Sequence, residues 1–345
     1  MDSKKRLGSL SWLCIGLCLL AAGMIYRVDA SYLPGFETVF SRFQSIHDFS
    51  GRAIGLADQG AQQRNTAFYM LGTSSVRHAF HDQNTMRQAL ASHTASTYLD
   101  LNTLGQRPLE TFYLVTLTEP QPGDDYYYFV SPNTFTRTPE ENVERLNGRR
   151  YHKNPAEFYQ QQITPRFPEL EKHLDPEHYS LPEFFAYLVN KSLRTASSHM
   201  LFSGQRAVYE RHPNPQPSPL LEANKIWERT LEKKTKALAK TENLPLNIAL
   251  IQALQTYVME RGATLHLLVA PHPQDMEGSD YNQRYNAILA AACNPTQFAC
   301  TDLNPIAGLT REHFIDPVHA NAAGREIWSR IFVEYLSSHT YNHEH

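Results

Sequence analysis

Short apolar runs that end in small residues and give way to the polar start of a helix recur along this chain. "NTAFYMLGTSSVRHAF" (65–80) reads as a strand, a tight turn and a helix. "STYLDLNTLG" (96–105) repeats the plan with alternation and a terminal glycine, and "LETFYLVTLT" (109–118) fits the helix that follows. "DDYYYFVSPNTF" (124–135), rich in aromatic and β-branched residues, is the most strand-like stretch of all. Farther along, "ANKIWERTLEKKTKALAK" (223–240) predicts a helix with a charged face, and "LPLNIALIQALQTYVMERG" (244–262) an apolar one stopped at Gly262. A buried strand "TLHLLVAPHP" (264–273), a helix around 281–292, a short strand "FACTDLN" (298–304) and a closing helix from about 320 to 336 complete the pattern. Strands alternating with helices predict an α/β fold, three layers deep, in which a central parallel sheet is covered on both faces.

Two stretches depart from that pattern. From 139 to 224, prolines, glutamines, histidines and aromatic residues mix without a period, which predicts a mostly helical insertion between two parts of one domain, 66–138 and 225–345. At the other end, Lys4, Lys5 and Arg6 precede "LSWLCIGLCLLAAGMIY" (10–26), an uncharged run of about 17 residues, just long enough to span a bilayer as a helix. Residues 1–9 then form a cytoplasmic tail, 10–26 a single-pass anchor that includes Cys14 and Cys18, and 27–65 a juxtamembrane connector, with the remainder extracytoplasmic. The alternative is a cleaved signal peptide ending at Ala30, which the length of the run and the nearby Arg27 and Asp29 disfavour.

Composition narrows the function. A formal net charge of −3, with both signs interspersed, gives no basic surface of the kind nucleic-acid binding needs. Cys293 and Cys300 bracket "CNPTQFAC", a short proline-containing loop that a disulfide can close in an oxidising compartment; two free buried thiols are the alternative. Two cysteines without further Cys or His nearby do not make a metal site.

Candidate chemistry sits at the predicted strand ends. In an open α/β sheet the loops after the strands converge on one crevice, so distant segments can meet there. The first strand delivers Gly72, Thr73, Ser74 and Ser75, the second Asn102 to Gly105, the third Ser131 to Asn133, and the fourth Ala270 to Pro273. The last segment brings Asp316 and His319, three apart, just before Gly324. A serine hydroxyl needs a histidine to take its proton, and the histidine needs a carboxylate to fix its tautomer. Ser74, second after the glycine, is therefore the candidate nucleophile, His319 the base and Asp316 its partner. The backbone N–H of Ser74, with Gly105 and Asn133, supplies candidate oxyanion donors. His78 is a weaker rival base, His272 a candidate pocket-lining residue, and Arg77 either an anion binder or a surface salt-bridge partner. No metal, nucleotide or other cofactor is required.

The "G-x-S" turn, the glycine after the second strand, the asparagine after the third and the terminal "D-x-x-H" resemble the SGNH (GDSL-like) hydrolase superfamily over roughly 66–135 and 262–336. Within it the chain is most similar to the D-alanyl transfer proteins (DltD) of teichoic-acid D-alanylation, through its N-terminal apolar segment, "YMLGTSSVRHAF", "YYYFVSPNTF", "LLVAPHP" and "DPVHANAAG". Thr73 and Ser75 stand where that family has Ser and Glu, and "SPNTF" replaces the usual Asn-Asp block of the superfamily. The resemblance implies a triad of Ser74, Asp316 and His319 acting as a serine esterase or O-acyltransferase. It also implies a membrane-bound O-acyltransferase and an acyl carrier protein as partners, and a cell-envelope polymer as substrate. Enzymes that O-acetylate exopolysaccharides share the plan but use other acyl donors. A non-catalytic scaffold on a degenerate hydrolase fold, holding the acyltransferase or the polymer, is the reading from a different class.

Overall fold

The computed structural model describes residues 49–62, 66–81, 83–91, 97–103, 105–147, 155–174, 220–276 and 278–340. The expected anchor at 10–26 lies outside them, as does most of the expected insertion. Among the described residues no helix is long and apolar enough to cross a membrane.

In chain order, helix α1 (Phe49–Gln62) leads into strand β1 (Ala67–Leu71), helices α2 (Ser74–Ala79) and α3 (Gln83–Ala91), and strand β2 (Thr97–Asp100). Helix α4 (Pro108–Leu117), strand β3 (Asp125–Val130), and helices α5 (Pro132–Phe135) and α6 (Pro139–Asn147) follow. After short helical turns at 156–171 come α7 (Leu220–Ala237), α8 (Leu244–Met259), strand β4 (Thr264–Val269) and α9 (Asp280–Ala292). A small hairpin of β5 (Phe314–Asp316) and β6 (His319–Ala320) precedes the closing helix α10 (Ala322–Thr340).

The four long strands form one parallel sheet in the order β2-β1-β3-β4. The expected strand at 298–304 is reduced to a single parallel bridge, Thr301 beside Leu268 of β4. All five residues of β1 and the last five of β3 are buried, as a parallel sheet covered on both faces requires. On one face Phe68 and Tyr127 stack at 4.3 Å, and Phe332 of α10 packs its ring edge on Tyr127 at 5.7 Å. On the other, Tyr69 and Tyr126 stack at 4.5 Å, and the Tyr126 hydroxyl meets that of Thr118, the C-cap of α4, at 2.6 Å. Phe112 of α4 in turn packs edge-on against Tyr257 of α8 at 5.4 Å.

The sequence pattern of 27–65 predicts a connector, yet Phe49–Gln62 within it is a helix. Its apolar content is mostly small: Ala53 and Ala57 are fully buried, with Ala53 against Leu114 of α4. Gly60 lets the helix approach Tyr69, whose hydroxyl a Cβ at that position would meet at 2.5 Å. Alanine and glycine bury through closeness rather than bulk. The Cys293–Cys300 disulfide is formed, with a Cα–Cα distance of 5.3 Å, and it closes the loop between α9 and Thr301.

Candidate active site

Strand order places the crevice. The connection from β1 runs outward to β2, whereas the next returns across β1 to β3, so the loops after β1 and β3 diverge and leave an opening between them. Ser74 stands at the end of the first loop, and Ser131 and Asn133 in the second. Thr73 caps α2, its hydroxyl accepting from the Ser75 N–H at 3.4 Å and lying 2.7 Å from the Ser75 hydroxyl. Ser75 is buried and held by that contact, which leaves Ser74 as the serine that faces outward. Gly72 permits the turn: a Cβ there would meet Val76 Cγ2 at 2.6 Å and Asn102 Oδ1 at 3.0 Å.

Asp316 and His319 pair across the β5–β6 hairpin, with Pro317 and Val318 as its tip. One carboxylate does two jobs there. Its Oδ1 accepts the backbone N–H groups of Val318 at 2.9 Å and His319 at 3.1 Å, which closes the turn. Its Oδ2 lies 2.8 Å from His319 Nδ1, and because a carboxylate only accepts, Nδ1 carries the proton. Nε2 is thereby left as an acceptor, and it lies 3.0 Å from Ser74 Oγ. Burial pushes the Asp316 carboxyl up, but the hydrogen bond and charge of His319 and the two backbone N–H groups outweigh it and hold the group below the usual carboxylate range. The hairpin is anchored from behind by α10. The Asn321 amide donates to Glu312 O, its Oδ1 accepts from Gly324 N–H, and a Cβ on Gly324 would collide with the His313 carbonyl oxygen.

The remaining expected residues divide into those that reach the site and those that do not. One cleft, with about 520 Å³ of open space including its mouth, is lined by Ser74, Gly105, Asn133 and His272 together with the hairpin tip. Gly105, at a left-handed φ of 60°, turns the chain after β2 into this cleft. Asn133 is set in place by a capping box in which Ser131 and Thr134 exchange side-chain-to-backbone hydrogen bonds around Pro132. His272 is a wall of the cleft: its ring stacks on Tyr285 at 3.9 Å, and its Nε2 lies 3.2 Å from Asn282 Oδ1. Burial pushes His272 down to about 4, so it is neutral near pH 7.

Arg77 does not line the cleft, and His78 does not take the base position. The ring of His78 instead lies 4.8 Å from that of His319, pushed down to about 4 by burial and then by the neighbouring His319 and Arg325. Sequence reasoning missed Arg137 and Lys234, both in the cleft wall. A signal for Lys234 was present. Trp227, Leu231 and Leu238 mark the apolar stripe of α7, and Lys234 occupies the same stripe, seven after Trp227 and four before Leu238.

Among the described residues no cluster of His, Cys, Asp or Glu is arranged to hold a metal ion. No family model matches the chain, and no curated protein is similar enough to match it.

Proposed function

We propose that this protein is a serine acyl-transfer enzyme in which Ser74, His319 and Asp316 form the catalytic triad. The observation that carries the reading is the continuous hydrogen-bonded series from Ser74 Oγ to His319 Nε2 and from Nδ1 to Asp316 Oδ2. As Ser74 Oγ attacks an ester carbonyl, His319 Nε2 takes its proton, and Asp316 stabilises the resulting imidazolium. The tetrahedral oxyanion faces the N–H of Ser74, at the first turn of α2, with Gly105 and Asn133 beside it. Collapse breaks the bond to the leaving alcohol, which departs with the proton from Nε2 and leaves the acyl group on Ser74. A second hydroxyl, from water or an acceptor, gives its proton to His319 as it attacks the acyl-enzyme, and Ser74 is regenerated.

The finer reading is an SGNH-like α/β/α domain held outside the membrane by residues 10–26 and acting on a cell-envelope polymer. In the D-alanylation setting it would work beside a membrane-bound O-acyltransferase and an acyl carrier protein. One observation favours the O-acetylation setting instead. Among the described residues the cleft wall contains Arg137 and Lys234 and no Asp or Glu, so the ammonium of an aminoacyl ester would meet like charge there.

The full chain in detergent, given 4-nitrophenyl acetate and a fluorophosphonate probe, tests the triad. The expected outcome is one covalent label on Ser74, with turnover and labelling both lost in Ser74→Ala. A wild-type chain that takes no label, or a variant that turns over ester as fast as wild type, returns the protein to the scaffold class.

A further inference from the structure

The cleft beside Ser74 is more positively charged than the triad requires. Arg137, from the segment that follows β3, and Lys234, from the stripe of α7 that faces the hairpin, enter it from opposite directions in sequence. Each has a single carboxylate in its surroundings among the described residues, Glu141 for Arg137 and Asp316 for Lys234, and each carboxylate has other partners. Among the described residues Arg137 pairs with Glu141, whose Oε2 is 3.7 Å away and accepts the Thr138 N–H, while Oε1 accepts from Lys240 at 3.1 Å. The Arg137 Nε is buried without a hydrogen-bond partner among the described residues. Lys234 makes no ion pair within 4.0 Å among them. Burial holds both cations below their ordinary range; Arg107 adds to the effect on Arg137 and Arg137 to that on Lys234, while Glu141 and Asp316 respectively oppose it. Half-buried cations beside one another repel, and an anion bound between them would relieve that repulsion.

We infer that Arg137 and Lys234 form an oxyanion-recognising subsite, so that the ester or acceptor handled at Ser74 carries a carboxylate or phosphate group. The subsite rests on the acyl-transfer reading and names the substrate class for it. Guanidinium and ammonium recognise the anion in different ways. Arg137 offers a planar fork to two oxygens, and Lys234 a mobile point charge. Because the two cations share the cleft with the nucleophile, the anion binds within the same substrate and positions its ester.

The test compares four esters on the full chain: neutral 4-nitrophenyl acetate and phenyl acetate, mono(4-nitrophenyl) glutarate with its carboxylate on the acyl side, and 4-acetoxybenzoate with its carboxylate on the leaving side. One anionic ester is expected to exceed its neutral counterpart, phenyl acetate being the match for 4-acetoxybenzoate, by roughly 10- to 100-fold in kcat/KM. That ratio should collapse in Lys234→Met and Arg137→Met and survive in Lys234→Arg. Competition by glycerol 3-phosphate against D-glucuronate, on the wild-type chain alone, separates a phosphate from a carboxylate preference. If Ser74 takes the fluorophosphonate label but neither anionic ester is preferred and neither competitor inhibits, the subsite is overturned and the triad stands. A chain that takes no label fails at the earlier step.

Discussion

At the scale of single residues, Asp316 is the most informative position because its two oxygens serve separate ends. Asparagine there can keep an oxygen for the Val318 and His319 N–H groups, so the hairpin stays closed. Its amide, however, donates toward Nδ1 and moves the imidazole proton to Nε2, where it blocks proton transfer from Ser74. Asp316→Asn is therefore expected to lower kcat by about 10³- to 10⁴-fold while the thermal midpoint stays near that of wild type. Steady-state turnover and a melting curve on the same preparation check both halves. A variant that melts far below wild type would make Asp316 chiefly a turn former. The triad was legible in the sequence because its chemistry is tied to residue type and because strand ends converge. Choosing Ser74 over Ser75 rested on position alone, and the physical reason, the Thr73–Ser75 contact, needed coordinates. Lys234 escaped for another reason: a charged residue on a charged helix discloses its inward orientation only when the apolar stripe is traced through it, whereas Arg137, in the link between α5 and α6, has no periodic pattern to reveal its direction.

At the scale of elements, the disulfide and the α10 cap make opposite demands. Cys293 and Cys300 lie seven apart, and closing so short a loop in the unfolded chain is worth about 2–3 kcal/mol. The loop lies at the far end of α9, outside the cleft wall. Cys293→Ser with Cys300→Ser is expected to lower the unfolding free energy by about that amount with kcat retained, and reduction of wild type should reproduce the shift in a urea titration. Gly324→Ala acts on both. Its methyl would push α10 off the His313 backbone, costing about 1–3 kcal/mol and shifting the hairpin that carries His319, so that stability and kcat fall together. The four sheet strands and helices α4, α7, α8, α9 and α10 were legible as apolar or amphipathic runs bounded by turn residues, whereas α3 and α6 were not read individually. The β5–β6 hairpin was not legible, since strands of three and two residues have no period to show. Helix α1 was read as connector, and the strand expected at 298–304 shrank to one bridge because Asn304 starts a short helix directly after it.

At the scale of the whole molecule, two histidines, the buried His272 and the half-buried His78, tie folding to pH. His78 and His272 are each pushed from the ordinary 6.5 down to about 4, in both cases chiefly by burial. Between those values the unfolded chain binds protons that the folded chain refuses, so stability is full above the ordinary value and falls as the solution is acidified through the window. Each histidine adds a slope of about 1.4 kcal/mol per pH unit there. Asp316, held below its usual range, acts in the same direction at lower pH, its contribution being lost as pH falls through the folded value. Urea unfolding of the wild-type chain between about pH 7 and 5 should thus show a steep loss of stability, with the two histidines together contributing close to two protons per molecule. His272→Phe keeps the stack on Tyr285 and removes one titrating group, so its slope should be shallower by about one proton. Equal slopes for the two proteins would mean that His272 takes up its proton in the folded state as readily as in the unfolded one. The wall beside Ser74 would then carry a third positive charge in acid.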